Sequence, residues 1–433
     1  MFSKFIKREL DAFNVFGADA KRLLTANLIY ALAFPFIIIF GTAFVKRITG
    51  GNNDLSVIYN WGFFAGLIIG YFINGVLLKN KIIIIRHLFA IGILLTVVPL
   101  SVLMFFGKNA GYYVVLYGLL VGIGNGIYWS CRNFLTLLVT EENNRNFYSS
   151  VEQFIIILCN ALIPLLFGTF ILGSSTDEDF KMNAYKYTSL IVIGTNLIAC
   201  WLVMKSNFNN PHISKFVYFK FGKLWNTQRL LTFCVGMVES GFMVLMTLLI
   251  LTVAGDEAIL GKIEFSTALI SIISIYVVGR ITKPHHRGKI MLAGAISLII
   301  GGVVLAFTVT NNTLIFGGIA ISFIGVMIMK ITQVIADPMI HSAFRATYLT
   351  SCEKASLIEK RDSYSYIMDN EYFMNGGRIF GGGIFIFITA SISNIIALQY
   401  TFIILALIQL ISAYLIEKLN KVELKIITAA DII

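Results

Sequence analysis

Residues 118–168 read GLLVGIGNGIYWSCRNFLTLLVTEENNRNFYSSVEQFIIILCNALIPLLFG. Two apolar stretches flank a short charged turn, the pattern of two membrane-crossing helices. Gly118, Gly122 and Gly126 recur at every fourth position of the first stretch. In a helix that spacing makes a smooth stripe along which a neighbour can approach closely. Asn125, Trp129 and Arg132 fall at i, i+4 and i+7 and so share an adjoining face. An arginine inside an apolar helix is costly unless it faces protein or a watery cavity. The stretch therefore predicts two packed helices with a polar face turned inward.

Working outward, the 433 residues are 57% hydrophobic and only 13% charged. The mean hydropathy is +0.82. A soluble domain carries roughly 25% charged residues, so this is an all-α polytopic membrane protein. Apolar runs have the length of about 20 residues that crosses roughly 30 Å of hydrocarbon. Alternating ten-residue segments of a membrane β-barrel are absent. Spans are expected at about 23–45, 55–78, 82–106, 112–138, 149–173, 184–204, 230–253, 263–281, 289–309, 313–337, 364–390 and 394–416. That makes about twelve transmembrane helices.

The formal charge is +11, and its distribution explains it. With the N-terminus inside, the inner segments collect Lys4, Lys7, Arg8, Lys79, Lys81, Lys215, Lys220, Lys223, Lys289, Lys360 and Lys418, among others. The outer loops hold only Lys46, Arg47, Lys108, Lys181, Lys186 and Lys262. This asymmetry obeys the positive-inside rule and predicts a multi-pass protein of the cytoplasmic (inner) membrane with both termini cytoplasmic. It accounts for the basic balance with no nucleic-acid partner. The basic N-terminus lacks the short apolar core of a signal peptide and reads as a surface helix.

The chain reads as two halves. Arg22-Leu-Leu-Thr25 opens span one and Arg229-Leu-Leu-Thr232 opens span seven. Gly75 to Lys79 after span two resembles Gly279 to Lys283 after span eight, and Arg145 to Tyr148 resembles Arg361 to Tyr364. Three matches in one order predict two six-helix halves, a transporter layout with the substrate site between them near the midplane. The expected division is a surface helix at 1–22, bundles at 23–204 and 229–416, a cytoplasmic linker at 205–228 and a tail at 417–433. The segment from His341 to Ser363 reads as an inner loop with room for a short surface helix.

At this point the sequence resembles the major facilitator superfamily over nearly its whole length. Gly70-Tyr-Phe-Ile-Asn74-Gly75, followed by Lys79 and Lys81, is similar to the family's gating signature after span two. Asparagine stands where the family carries aspartate. Gly122-Ile-Gly124-Asn125-Gly126 with Arg132 resembles its span-four pattern. The GIGNGIYW run and Thr140 to Arg145 look most like an uncharacterised bacterial branch of transporters. The resemblance implies a gating role for Gly70, Asn74, Lys79 and Lys81. It also implies a cavity lined by spans one, two, four, five, seven, eight, ten and eleven.

Polar residues on those spans are the candidate site. Glu239 lies about 10 residues into span seven, roughly 15 Å deep at 1.5 Å per residue. A carboxyl there serves a proton or a substrate, or is a hydrogen-bonded structural acid. In span eleven Glu371, Asn375 and Arg378 share a face at i, i+4 and i+7. Arg378 needs a partner, and Glu239 is one candidate. Asp369 is nearer the cytoplasmic end, where solvent, Lys360 or Arg361 can satisfy it. Lys330 of span ten either serves the cavity or snorkels to the interface. Asp337, before Pro338, reads as a helix end. Glu152 and Arg132 are substrate candidates or helix-to-helix bridges. Trp129, Asn125, Trp61 and Asn60 suit a cavity wall or plain packing.

No metal or cofactor is expected. His285 and His286 lack a third ligand at metal spacing, and the span-four glycines do not form a nucleotide loop. The five cysteines show no CxxC spacing and read as packed thiols. The function expected is a secondary active transporter of a small solute working by alternating access. A coupling proton is the optional partner, the lipid bilayer the medium, and a monomer suffices. A non-transporting sensor on the same fold is the alternative. A membrane-embedded enzyme ranks below it, because the carboxylates are spread over several helices.

Overall fold

The computed structural model describes residues 16–140, 142–173, 177–208, 210, 215–281, 286–309, 315–316 and 319–430. Among them, twelve helical segments follow one another. They are α1 Ala18–Ile48, α2 Asn53–Lys79, α3 Ile85–Phe106, α4 Val114–Val139, α5 Glu142–Leu165 and α6 Glu178–Met204. The second set is α7 Lys223–Ala254, α8 Glu257–Ile281, α9 Arg287–Val309, α10 Ile321–Glu359, α11 Ser363–Ser391 and α12 Asn394–Ala430. Among the described residues the one extended piece is a two-residue pair, Ile315–Phe316 against Ile319–Ala320. Large apolar side chains such as Ile191 and Ile198 on α6 and Ile273 and Tyr276 on α8 stay more than half exposed. Such faces call for lipid rather than water.

The two sets pack alike. Within the first, α1 meets α5 and α6, α2 meets α4, and α3 meets α4 and α6. Within the second, α7 meets α11 and α12, α8 meets α10, and α9 meets α10 and α12. Adding six to each helix of the first set yields the second. Across the halves, α2 packs on α11 and α5 on α8, again a pair exchanged by the same relation. Irregularities repeat as well. Alpha-helical geometry gives way to a π-helical turn at Phe36–Phe40 of α1 and at Gly241–Leu245 of α7. A third such turn, Leu166–Leu172, continues α5. Such turns often sit at functional positions.

The glycine stripe of α4 does what its spacing implies. A Cβ on Gly118, Gly122 or Gly126 would lie 2.1, 2.0 or 2.4 Å from the carbonyl oxygens of Tyr59, Phe63 and Leu67 of α2. Gly62, Gly66 and Gly70 of α2 return the contact, with 2.4, 2.3 and 2.3 Å to the carbonyls of Val115, Leu119 and Ile123. Six glycines thus hold two backbones together at van der Waals range. At the end of α7 Gly255 takes φ +71, a left-handed conformation that glycine adopts without strain.

Several expected boundaries need correction. Asp337 does not end a helix: α10 runs through Pro338 to Glu359, with Pro338 buried. A proline in a membrane helix is tolerated because neighbours can satisfy the freed backbone group. The expected loop 341–363 is therefore mostly the continuation of α10. Helix α7 begins at Lys223, inside the expected linker, and α12 carries its helix on to Ala430, through most of the expected tail. Residues 1–15 and the loop around Lys283 and His285 lie outside the described residues.

Candidate functional site

The candidate residues fall into separate clusters joined by helix order. In the first half Arg132 of α4 forms an ion pair with Glu152 of α5, with Nε to Oε1 at 3.1 Å. Asn27 of α1 donates to the same Glu152 oxygen at 2.8 Å, and the Tyr128 hydroxyl donates to Asn27 Oδ1 at 3.3 Å. Glu152 and Asn27 are buried. The Arg132 guanidinium also lies 5.3 Å from the Trp129 ring. Asn125, one face-step further along α4, donates to the Tyr30 hydroxyl at 3.0 Å. The i, i+4, i+7 face of α4 thus spends its polarity on α1 and α5. Trp129 packs against Phe34 and Tyr128.

The second half holds comparable pairs. Glu239 of α7 accepts two bonds from Arg378 of α11 on Oε2, at 3.2 and 2.9 Å. Arg378 Nη1 donates to Asn375 Oδ1 at 2.7 Å, while Asn375 donates to the Glu371 carbonyl at 2.9 Å. Among the described residues Glu371 makes no ion pair. One level towards the linker, Asp369 takes a bidentate grip from Arg229 of α7 at 2.7 and 2.6 Å. Trp225 Nε1 adds a third bond at 2.7 Å. The expectation that solvent, Lys360 or Arg361 serves Asp369 is therefore corrected. Asp369 and Arg229 lie on adjacent helices of one half, and Asp369 is 6% exposed. Lys330 does not snorkel either: it is buried and binds Glu264 of α8 at 2.8 Å.

The gating candidates do not sit in one loop. Gly70 and Asn74 are inside α2, Lys79 is its last residue, and only Lys81 lies beyond it, with φ 53. Gly70 packs on α4. Asn74 donates to Ser130 Oγ at 2.7 Å and accepts from Cys131 Sγ at 3.2 Å. The tie of Asn74 to α4 is thus neutral and hydrogen-bonded.

Two cavities meet the Glu239–Arg378 pair. The first, about 110 Å³, is lined by Val238, Glu239, Phe242, Gln333, Asp337 and His341, among others. The second, about 10 Å³, lies between the halves and is lined by Asn60, Trp61 and Phe64 of α2, Ser240 of α7, and Arg378 and Gly382 of α11. The Arg378 guanidinium is 5.6 Å from the Phe64 ring of the other half. Gln333, Asp337 and His341 were not grouped by the sequence reading, although their i, i+4, i+8 spacing marks one helical face. Ending the span at Asp337 hid it.

At the end of the bundle away from the linker the halves are tied by polar contacts. Arg47 of α1 is paired with Glu257 of α8 and, within its own half, with Glu178 of α6. Lys46 donates to the Leu248 carbonyl at 3.2 Å and to Thr252 Oγ1 at 2.5 Å, both on α7. Asn53 donates to Asn394 at 2.7 Å. Lys46 and Arg47 read as loop residues in the sequence, and nothing local there names partners 131 to 210 positions on.

Twelve helices in two like halves, with charged residues between and within them, define a polytopic membrane transporter. The chain belongs to the major facilitator superfamily, whose family model matches residues 23–351. It is 25% identical over 395 residues to the uncharacterised protein YqgE of Bacillus subtilis (strain 168), spanning 89% of this chain and 86% of that one. Among solved structures it is similar in fold to the transporter FucP in its outward conformation, with TM-score 0.58, 15% identity and coverage of 92% and 98%. It is similar also to a D-xylose–proton symporter, with TM-score 0.65, 12% identity and coverage of 93% and 97%. A POT family transporter in complex with a thioalcohol-conjugated peptide gives TM-score 0.67, 10% identity and coverage of 92% and 95%. At these identities the likeness is one of fold. Family membership implies a small-molecule substrate, embedding in a membrane, and carriage rather than catalysis.

Proposed function

We propose that the protein is a secondary active transporter working by alternating access, with the substrate held between bundles 23–204 and 229–416. One observation carries this reading. The Glu239–Arg378 pair stands beside a cavity within one half while its arginine faces an aromatic ring of the other half. A ligand that competes for either member changes a contact across the halves, which couples binding to their relative movement. Glu239 is the residue assigned to proton coupling, with Arg378 as its charge partner and Asn375 orienting Arg378. Arg132, Glu152, Asn125 and Trp129 form the corresponding network of the first half. Asp369, Lys330 and Glu371 support the site rather than touch the cargo. Gly70, Asn74, Lys79 and Lys81 govern the linker-side end, and Lys46, Arg47, Asn53 and Glu257 close the opposite end.

The positive-inside asymmetry orients both termini, the linker at 205–228 and the tail to the cytoplasm, in the cytoplasmic membrane. A monomer is the working unit, since one chain holds both halves of the site.

The test is proton flux in liposomes holding the purified protein, with a compound library added, comparing wild type with Glu239→Gln. A compound-dependent proton signal that disappears in the variant supports the assignment. An unchanged signal removes Glu239 from coupling.

A further inference from the structure

The cavity of about 110 Å³ next to Glu239 is lined largely by apolar side chains, among which Glu239, Asp337, Gln333 and His341 are the polar groups. Both bonds from Arg378 go to Glu239 Oε2, so Arg378 balances that carboxylate through one oxygen. Asp337 makes no ion pair among the described residues. Its hydrogen bond comes from the Gln333 amide at 3.4 Å. Lys330, two turns away on α10, is already held by Glu264. The Gln333 side chain is 6% exposed, and its Oε1 is buried without a hydrogen-bond partner. A buried acceptor left unmatched costs about 1–3 kcal/mol. Gln333 lines the cavity, and an unmatched acceptor on a lining residue points to a donor-bearing occupant. His341, one turn beyond Asp337, is exposed and forms the rim. Pro338 keeps the neighbouring position apolar and donor-free.

Two carboxylates and one unmatched carbonyl, set against one guanidinium with the His341 imidazole at the rim, leave the inner wall with surplus acceptors. An anion would meet the unpaired Asp337 carboxylate and the Glu239 oxygen that Arg378 does not hold. A neutral solute leaves the Asp337 charge unbalanced. A protonated primary amine carries one positive charge and three N–H donors in a small tetrahedral head, which suits Asp337, Gln333 Oε1 and Glu239 together.

We propose that this cavity is a recognition site for the primary ammonium group of the substrate, with Asp337 as the counter-charge and Gln333 as the neutral acceptor. The proposal rests on the transporter reading for its role but can be tested without transport. The probe is ethylammonium chloride, small enough for the cavity. With three heavy atoms its affinity is at best about millimolar. Thermal unfolding of the full-length protein in detergent micelles is followed against concentration, with sodium chloride, sodium propionate and ethanol as matched controls.

The expected result is a saturable rise in Tm with ethylammonium and none with the controls. Asp337→Asn raises the half-saturating concentration by roughly tenfold or more, the effect of losing one charged hydrogen bond. Gln333→Leu, which keeps every charge, raises it about threefold. Each variant is first shown to be helical with a cooperative melt, and one folded variant suffices. No ethylammonium-specific shift, or a shift undiminished in the folded variants, overturns the ammonium site. Ethylammonium counterflow in liposomes separates the two readings. Asp337-dependent binding without any flux leaves the ammonium site standing and counts against transport. Compound-driven flux that ignores Asp337→Asn leaves transport standing and removes the ammonium site.

Discussion

Arg378 of α11 binds Glu239 of α7 at 2.9 Å while its guanidinium centre lies 5.6 Å from the ring of Phe64 on α2. One side chain thus belongs both to an ion pair inside the second half and to a contact between the halves. Whatever displaces Arg378 from Glu239 also alters what the first half touches.

Arg378→Met leaves Glu239 as an uncompensated charge in the bundle, and breaking such a pair costs about 3–5 kcal/mol. A lower Tm and no substrate-dependent proton flux are expected. The double variant Arg378→Met, Glu239→Leu recovers most of the Tm and none of the flux. Melting curves and liposome flux on all three proteins check this. Equal melting of the single and double variants would remove the pair from the account.

Glu152 carries the polar network of the first half. Glu152→Ala strands the Arg132 guanidinium and the Asn27 amide together. A loss of about 3 kcal/mol or more is expected. Asn27→Ala in the same background adds much less than it does alone, because both act through one carboxylate. Chemical-denaturant melts of the four proteins give the coupling, and simple additivity would count against a shared network.

The glycine contact between α2 and α4 leaves no room for growth. A Cβ on Gly122 would stand 2.0 Å from the Phe63 carbonyl oxygen. Gly122→Ala should destabilise by about 1–3 kcal/mol through overpacking, and Gly122→Leu should yield no folded protein. Gly194, with open space around it, is the control, and Gly194→Ala should behave as wild type in detergent melts.

The ties away from the linker make movement of the halves testable. All five native cysteines are buried, whereas Asn52 is exposed and Asn394 half-buried, so cysteines introduced at these two positions are the more accessible ones. A short cleavable cross-linker between them should abolish transport, and reductive cleavage should restore it. Transport that continues through the cross-link would mean that this end does not open.

Much of this protein was legible in its sequence because the relevant signals are local. Hydropathy and span length place the helices in a membrane, since every buried backbone group in lipid must bond within its own helix. The Gly118, Gly122, Gly126 stripe and the faces of Asn125, Trp129, Arg132 and of Glu371, Asn375, Arg378 follow from helical periodicity. The partnership of Arg378 with Glu239 was a candidate because few charges lie at that depth. Partners across distant helices were not legible. Glu152 could be named, but not its simultaneous hold on Arg132 and Asn27. Asp369 with Arg229, Lys330 with Glu264, and Arg47 with Glu257 depend on which helices become neighbours. Asp337 reads as a helix end because Pro338 follows it, so its shared face with Gln333 and His341 was not legible, and only packing around α10 carries the helix past the proline. Charge pairing is settled by three-dimensional proximity in a low-dielectric interior, and sequence spacing fixes proximity only within one helix.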